Sequence, residues 1–186
     1  VALKSTIFKV ELQLADVDYG IYTDHALTIA RHPGETDERM MVRVAALALN
    51  AHAVQTLCGG DAMVGFGGGL SDPDDPDVSV TDFNGRRRVW IEVGQPDDKP
   101  LVRACSRADT VKVYAFAPSA EMWWRGLQGK VARLDRLEVW RLPAEATQQL
   151  AALVERSMRC QATLQDGALS LGSERGSVFL EPLRWQ

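Results

Sequence analysis

Apolar and polar residues alternate from Ile7 to Leu14, with Phe8, Val10, Leu12 and Leu14 set against Ile7, Lys9, Glu11 and Gln13. A period of two predicts a half-buried strand. Residues 22–30, YTDHALTIA, read as its partner, and the intervening ADVDYG supplies turn residues. The spacing then lengthens. In RHPGETDERMMVRVAALALNAHAV, Met40, Met41, Val44, Leu47 and Ala48 recur as a helical stripe. Pro33 holds His32 extended, so the helix starts between Gly34 and Asp37. Glu35, Asp37 and Glu38 load its first turn with the negative charge a helix dipole favours.

A Gly-rich piece, GGDAMVGFGGGLSDPDDPD, follows with a short strand, AMVGF, and a loop. Beyond residue 96, DDKPLVRACSRAD reads as a helix, TVKVYAF as a strand, SAEMWWRGLQGK as a helix and LEVWRL as a strand. Strand, helix, strand with short links is the mark of a parallel crossover. PAEATQQLAALVERSM reads as a third helix, opened by Pro143. The tail is β throughout: CQATLQ, an Asp166-Gly167 turn, ALSLG and SVFLEPL. With no repeat or linker, residues 1–186 read as a single α/β domain, a mixed sheet flanked by helices.

The stretch DPDVSVTDFNGRRRVWIEVG carries the chemistry. Asn84-Gly85 is a strong two-residue hairpin signal. With those residues as the turn, Phe83 faces Arg86 and Asp77 faces Glu92. Val78, Val80, Val89, Ile91 and Val93 then share one apolar face. Asp77, Ser79, Thr81, Arg88, Trp90, Glu92 and Gly94 share the other. A slip of one residue would mix the sets, so the clean split supports the register and excludes Asp82 as the partner of Glu92. Two carboxylates opposed across a hairpin have Cβ atoms roughly 5 Å apart and repel each other. Three arrangements relieve this: one acid takes a proton, an Arg sits between them, or a hard cation such as Mg²⁺ or Mn²⁺ binds both. The alternative is that Asp77 caps the loop and Glu92 pairs with an Arg such as Arg88.

Composition narrows the classes. Apolar residues make up 46% and charged residues 25%, which is ordinary for a soluble globule. A net charge of −4 and a pI near 5.4 argue against a surface that grips nucleic acid everywhere, though not against a local groove. Cys58, Cys105 and Cys160 form no CxxC or zinc spacing, and His25, His32 and His52 show no metal spacing. No stretch reaches the roughly 18 apolar residues of a membrane span, and VALKSTIFKV lacks the pattern of a secretory signal. A reducing cytoplasm is the expected home. FGGGL lacks the GK[ST] of a phosphate loop. The acidic loop from Asp72 to Asp77 departs from a calcium loop at Pro76. Arg86-Arg87-Arg88 reads as solvated turn charge or as a contact to a nucleic-acid backbone.

ALKSTIFK, LTIARHPGETDERMMVR, GLSDPDDPD, VWIEVGQPD, RACSRAD, the Trp123-Trp124 pair and MRCQATLQDG together resemble the YaeQ family of small bacterial proteins along essentially the whole chain. The resemblance implies a variant of the PD-(D/E)xK fold: a restriction-endonuclease-like core, with an added β-hairpin region. In that core a helix precedes a three-stranded meander, and the acids sit on its second and third strands. On this sequence Pro76-Asp77 matches the PD element and Glu92-Val93-Gly94 the ExK element, with Glu35 or Glu38 as the helix acid. Gly94 replaces the expected Lys. The implied activity is Mg- or Mn-assisted phosphodiester hydrolysis on nucleic acid. Asp77 and Glu92 would hold the metal, and Arg39, Lys99, Arg103 and Arg107 would hold phosphate. Arg103 and Arg107, four apart, are expected on one helical face. The competing expectation is a catalytically silent binding protein for nucleic acid or a protein partner on the same scaffold.

Overall fold

In chain order the elements are β1 (Thr6–Asp16), β2 (Ile21–Arg31), α1 (Asp37–Asn50), α2 (Ala53–Thr56), β3 (Ala62–Phe66), β4 (Val78–Asp82), β5 (Arg87–Val93), α3 (Asp98–Cys105), β6 (Ala108–Ala115), α4 (Ala120–Val131), β7 (Leu137–Arg141), α5 (Ala144–Leu150), β8 (Ser157–Gln165), β9 (Ala168–Ser173), β10 (Gly176–Leu180) and β11 (Leu183–Arg184). They come from a computed structural model that describes residues 4–68, 70 and 72–186. Ala2 and Leu3 of the ALKSTIFK segment, and Gly69 and Ser71 of the Gly-rich loop, lie outside the described residues.

The strands form two sheets, not the single one expected. One has the order β10-β9-β8-β1-β2 and the other β11-β7-β6-β5-β4-β3. The opening hairpin is as the alternation predicts, with Phe8, Val10, Leu12 and Leu14 all buried. Its first strand is not an edge, however. β1 pairs in parallel with β8, from Lys9 opposite Ser157 to Asp16 opposite Leu164. Periodicity identifies strands but says nothing about partners almost 150 residues away, which is why two sheets read as one. In the second sheet β3, β4 and β5 form an antiparallel meander. β6 and β7 then add in parallel, through the crossovers that α3 and α4 provide.

α1 lies between the sheets. Its core partners include Phe8 and Leu12 from β1, Val80 and Ile91 from the meander, and Leu169 and Leu171 from β9. Every residue from Met40 to Ala48 is therefore buried, not only the expected stripe. A helix enclosed on all sides is apolar all round, and Arg43 is the exception. Thr36 caps the helix by accepting from Arg39 N at 3.1 Å. The far face of the second sheet is covered as well, by Leu101 of α3 and Leu127 of α4 packed around Trp90, Val111 and Val113.

Several expected boundaries shift, and α3 ends at Cys105 rather than running to Asp109. α1 stops at Asn50, and Ala53–Thr56 forms a separate short turn of helix. α5 ends at Leu150, followed by a 3-10 turn over Ala151–Leu153. Met158 belongs to β8, where it alternates with Cys160, Ala162 and Leu164 on the buried face. No described helix is long and apolar enough to cross a membrane.

Candidate functional site

The β4–β5 pairing is as expected along most of the hairpin. Val78, Ser79 and Val80 oppose Ile91, Trp90 and Val89. This brings Asp77 to the level of Glu92, and Asp77 N donates to Ile91 O at 3.0 Å. The turn itself differs. It has three residues, Phe83-Asn84-Gly85, closed by Gly85 N to Asp82 O (3.0 Å) and Asp82 N to Arg86 O (2.9 Å). Gly85 takes φ +85°, the left-handed position that ends such a loop. The Asp82 carboxylate selects it by accepting from Asn84 N and Arg86 N at 2.9 and 3.0 Å. Thr81 consequently faces Arg87, and a bulge leaves Arg88 unpaired. The extra turn residue and the extra bulge residue cancel, and the acids meet.

Asp77 is buried, and its Oδ2 accepts from Val93 N at 2.9 Å. Arg39, from the first turn of α1, reaches the same carboxylate. Its Nη2 donates to Asp77 Oδ1 and Oδ2 (3.0 and 3.1 Å) and to Val93 O (3.3 Å). Glu35 sits just before the helix, not in its first turn, and its carboxylate is fully buried. It bonds Arg39 Nη1 through Oε2 and Arg43 Nη2 through Oε1, each at 2.5 Å. Arg43 Nη2 also donates to Ala30 O at 2.8 Å, and its guanidinium lies 5.9 Å from the Phe66 ring centre. The result is a chain of alternating charge, Arg43–Glu35–Arg39–Asp77, running from the core to the end of β5.

Glu92 completes the set. Its Oε1 accepts from Trp90 Nε1 at 2.8 Å. Burial, and then the neighbouring Asp77 carboxylate, push its pKa up to about 8, against the opposing pull of Trp90 and Arg39. Burial and the neighbouring carboxylate thus favour the protonated form of Glu92. Arg39 is held charged more firmly than usual: burial opposes its charge, but Asp77 and Glu35 outweigh burial. Two of the three ways of relieving the paired acids are thus favoured together, an Arg on Asp77 and a proton on Glu92. The expected Arg88 alternative does not hold, because Arg88 faces Asp109 at 2.8 Å and Asp82 at 3.7 Å.

Arg39 is the one phosphate-binding candidate that contacts the acids directly among the described residues. Glu38 accepts from Thr147 Oγ1 of α5 at 3.2 Å, so the helix acid at the cluster is Glu35. Lys99 is exposed in the first turn of α3 and forms no ion pair with the acids. α3 stops at Cys105, so Arg107 is off the helix and does not share a helical face with Arg103. Arg107 precedes Ala108, which pairs with Arg87 at the start of β5. Glu92 stands five residues further along the strand, about 17 Å away at ~3.3 Å per residue. The Arg86–Arg88 run is paired rather than free, with Arg86 and Arg88 on Asp109 and Arg87 on Asp75. Gly94 takes φ +105° as the chain leaves β5, a conformation in which an L side chain such as Lys is strained. The parts that sequence reasoning missed are the Val93 main chain and the Trp90 indole. Trp90 carries a signal in hindsight, being two residues from Glu92 on the same face.

Among the described residues, no three His, Cys, Asp or Glu side chains converge as a metal-binding group. Oxygens do converge: both Asp77 carboxylate atoms and the Val93 carbonyl surround one cationic nitrogen of Arg39.

A family model described as YaeQ protein matches residues 1–182 of the chain. The uncharacterized protein YaeQ of Salmonella typhi is 37% identical over 186 residues, which is all of this chain and 98% of that protein. Its counterpart in Escherichia coli K12 is 34% identical over the same span. Among solved structures, the YaeQ protein from Xanthomonas axonopodis pv. citri superposes with a TM-score of 0.88 at 39% identity, covering 98% of each chain. The YaeQ protein from Pseudomonas syringae superposes with a TM-score of 0.87 at 30% identity, covering 98% of this chain and 96% of that one.

Proposed function

The chain belongs to the YaeQ family, and we propose that its acid cluster is a divalent-cation-assisted phosphodiesterase site for nucleic acid on a restriction-endonuclease-like core. The observation that carries the reading is the ring of three oxygens around Arg39 Nη2, contributed by Asp77 and the end of β5, with the Glu92 carboxyl close enough to Asp77 for each to feel the other's charge. The element order α1, meander β3–β4–β5, α3, β6 agrees with such a core. Mg²⁺ is commonly held by one or two carboxylates, with phosphate and water completing its shell. Asp77 and Glu92 fit that donor set, and Mn²⁺ fits it equally.

A bound cation would lower the pKa of a water and offset charge on the phosphoryl transition state. The chain's own residues do the rest. Val93 N fixes the Asp77 carboxylate, and Glu35 fixes Arg39 from its other side. Arg39 moved off Asp77 presents its fork to a phosphate, where two parallel N–H bonds orient it. Glu92 has to lose its proton before it serves as a ligand, so cation affinity rises with pH through about 8.

Titration calorimetry with Mn²⁺ tests the site, and cleavage of single- and double-stranded DNA and RNA tests the activity. The expected result is saturable binding and Mn²⁺-dependent cleavage, both lost in Asp77→Asn and in Glu92→Gln. Cleavage that survives both changes belongs to a contaminant. A second reading rests on Gly94, whose left-handed backbone stands where the motif carries Lys: a nucleic-acid-binding protein without turnover. Nucleic-acid affinity with no cleavage in Mg²⁺ or Mn²⁺ would select it.

A further inference from the structure

A cavity of about 400 Å³ opens between the two sheets beyond the C-terminal end of α1, about 20 Å along that helix from the Glu35 end at ~1.5 Å per residue. Asp16 of β1, Tyr19 of the following turn, His52, Lys112 and Tyr114 of β6, and Trp140 of β7 line it. The volume falls within the range of small-molecule sites. Its rim is tied down, because the Asp18 carboxylate accepts from Asp166 N at 2.7 Å and Gly167 N at 2.9 Å and so joins two hairpin turns.

One charged group here lacks what burial demands, and a second is held only by a long ion pair. Asp16 is only 1% exposed; its Oδ1 accepts from Tyr19 N at 3.1 Å, and its buried Oδ2 has no hydrogen-bond partner among the described residues. Lys112 Nζ stands 3.9 Å from Glu138 Oε1, beyond hydrogen-bond reach, and that oxygen already accepts from Trp140 Nε1 at 3.1 Å. Asp16 and Lys112 form no ion pair with each other. His52 lies close enough to feel both: burial and Lys112 lower its pKa while Asp16 raises it. It also stacks on Tyr19 with ring centres 4.0 Å apart. Buried polar atoms in folded proteins are almost always paired. A buried acceptor without a donor and a partly exposed ammonium with only a long ion pair to Glu138, both lining one cavity, suit a guest that carries both complements.

We propose that this cavity binds a small zwitterion of the α-amino-acid class, with its carboxylate on Lys112 Nζ, its ammonium on Asp16 Oδ2 and an apolar side group against Trp140 and Leu49. The two charges select for a molecule that has both, and the aromatic and aliphatic walls select for an apolar substituent.

Calorimetry on the full chain with L-leucine and L-phenylalanine tests this, alongside 3-phenylpropionate and phenethylamine, each of which keeps only one of the two charges. The expected result is saturable one-to-one binding of an amino acid, weakened about tenfold or more for each single-charge analogue. Lys112→Met is expected to weaken it by a similar factor while the unfolding transition stays cooperative. Asp16→Asn serves as the second variant if Lys112→Met fails to fold, and Asp77→Asn is expected to leave amino-acid binding unchanged. No saturation by either amino acid up to about 10 mM would overturn the proposal. So would equal binding of the single-charge analogues, or unchanged binding in a folded Lys112→Met.

Discussion

The two ends of α1 handle buried charge in opposite ways. At the N-terminal end Arg43, Glu35, Arg39 and Asp77 are joined in an unbroken chain of ion pairs, with only Arg43 Nε and Nη1 left without a hydrogen-bond partner among the described residues. Beyond the C-terminal end Asp16 and Lys112 sit near each other without pairing. A closed network depends on every member, because removing one strands a charge in low dielectric. An open one tolerates loss, because Asp16 Oδ2 already lacks a partner and Lys112 has only a long ion pair with Glu138. Like substitutions at the two ends should therefore have unlike consequences.

The strongest test is Glu35→Gln, which leaves Arg43 and part of Arg39 uncompensated. Its expected cost is about 3–5 kcal/mol of folding stability, read from urea denaturation midpoints. Next in size is the pH response of Glu92. A carboxyl whose pKa rises from 4.5 to about 8 on folding binds more protons in the native state between those values. Its stabilising share is thus complete below 4.5 and is lost as pH rises through about 8. Denaturation at about pH 5, 7 and 9 should show stability falling across that window, and Glu92→Gln should flatten the fall.

Gly94→Lys restores the residue the motif expects, but in a left-handed backbone position. It should cost about 1–2 kcal/mol in thermal or chemical unfolding. At the open end, Asp16→Asn keeps the acceptor for Tyr19 N and removes a carboxylate oxygen that has no partner. It should stay within about 1 kcal/mol of the parent, against the much larger cost of Glu35→Gln. Smallest of all, Arg103→Ala and Arg107→Ala should change stability by no more than about 0.5 kcal/mol, both being exposed. A Glu35→Gln cost as small as that of Asp16→Asn would dissolve the contrast between the two ends.

How much of this was legible depended on how local each signal is. The alternation at Ile7–Leu14, the helical stripe from Met40 to Ala48 and the facing of Asp77 with Glu92 all lie within short windows and could be read directly. The Asn84-Gly85 turn shows the limit of that reading. The Asp82 carboxylate drew the loop out to three residues, and the register survived because Arg88 bulged. At the matching signal near the end of the chain the carboxylate on the turn is that of Asp18, from a different hairpin, and the loop keeps two residues. Asp166 and Gly167 take φ +54° and +76° as a two-residue turn, and Gln165 pairs with Ala168 as expected. The Lys112–Asp16–His52 cavity could not be read at all. Its parts come from β6, β1 and the segment after α1, and no spacing along the chain records that they meet. The role of Arg39 was half legible: its position on α1 was clear, but its grip on Asp77 depends on how the helix crosses the sheet.

The parallel pairing of β1 with β8 also orders events during synthesis. Chains lengthen from the N-terminus, and residues 6–16 emerge long before residues 157–165 exist. Until then β1 has only β2 beside it, with the other row of backbone donors and acceptors open to the solvent or to neighbouring chains. The first sheet therefore cannot close until β8 has been made. The interval before closure is the window in which a nascent chain is most exposed to mispairing through its first strand.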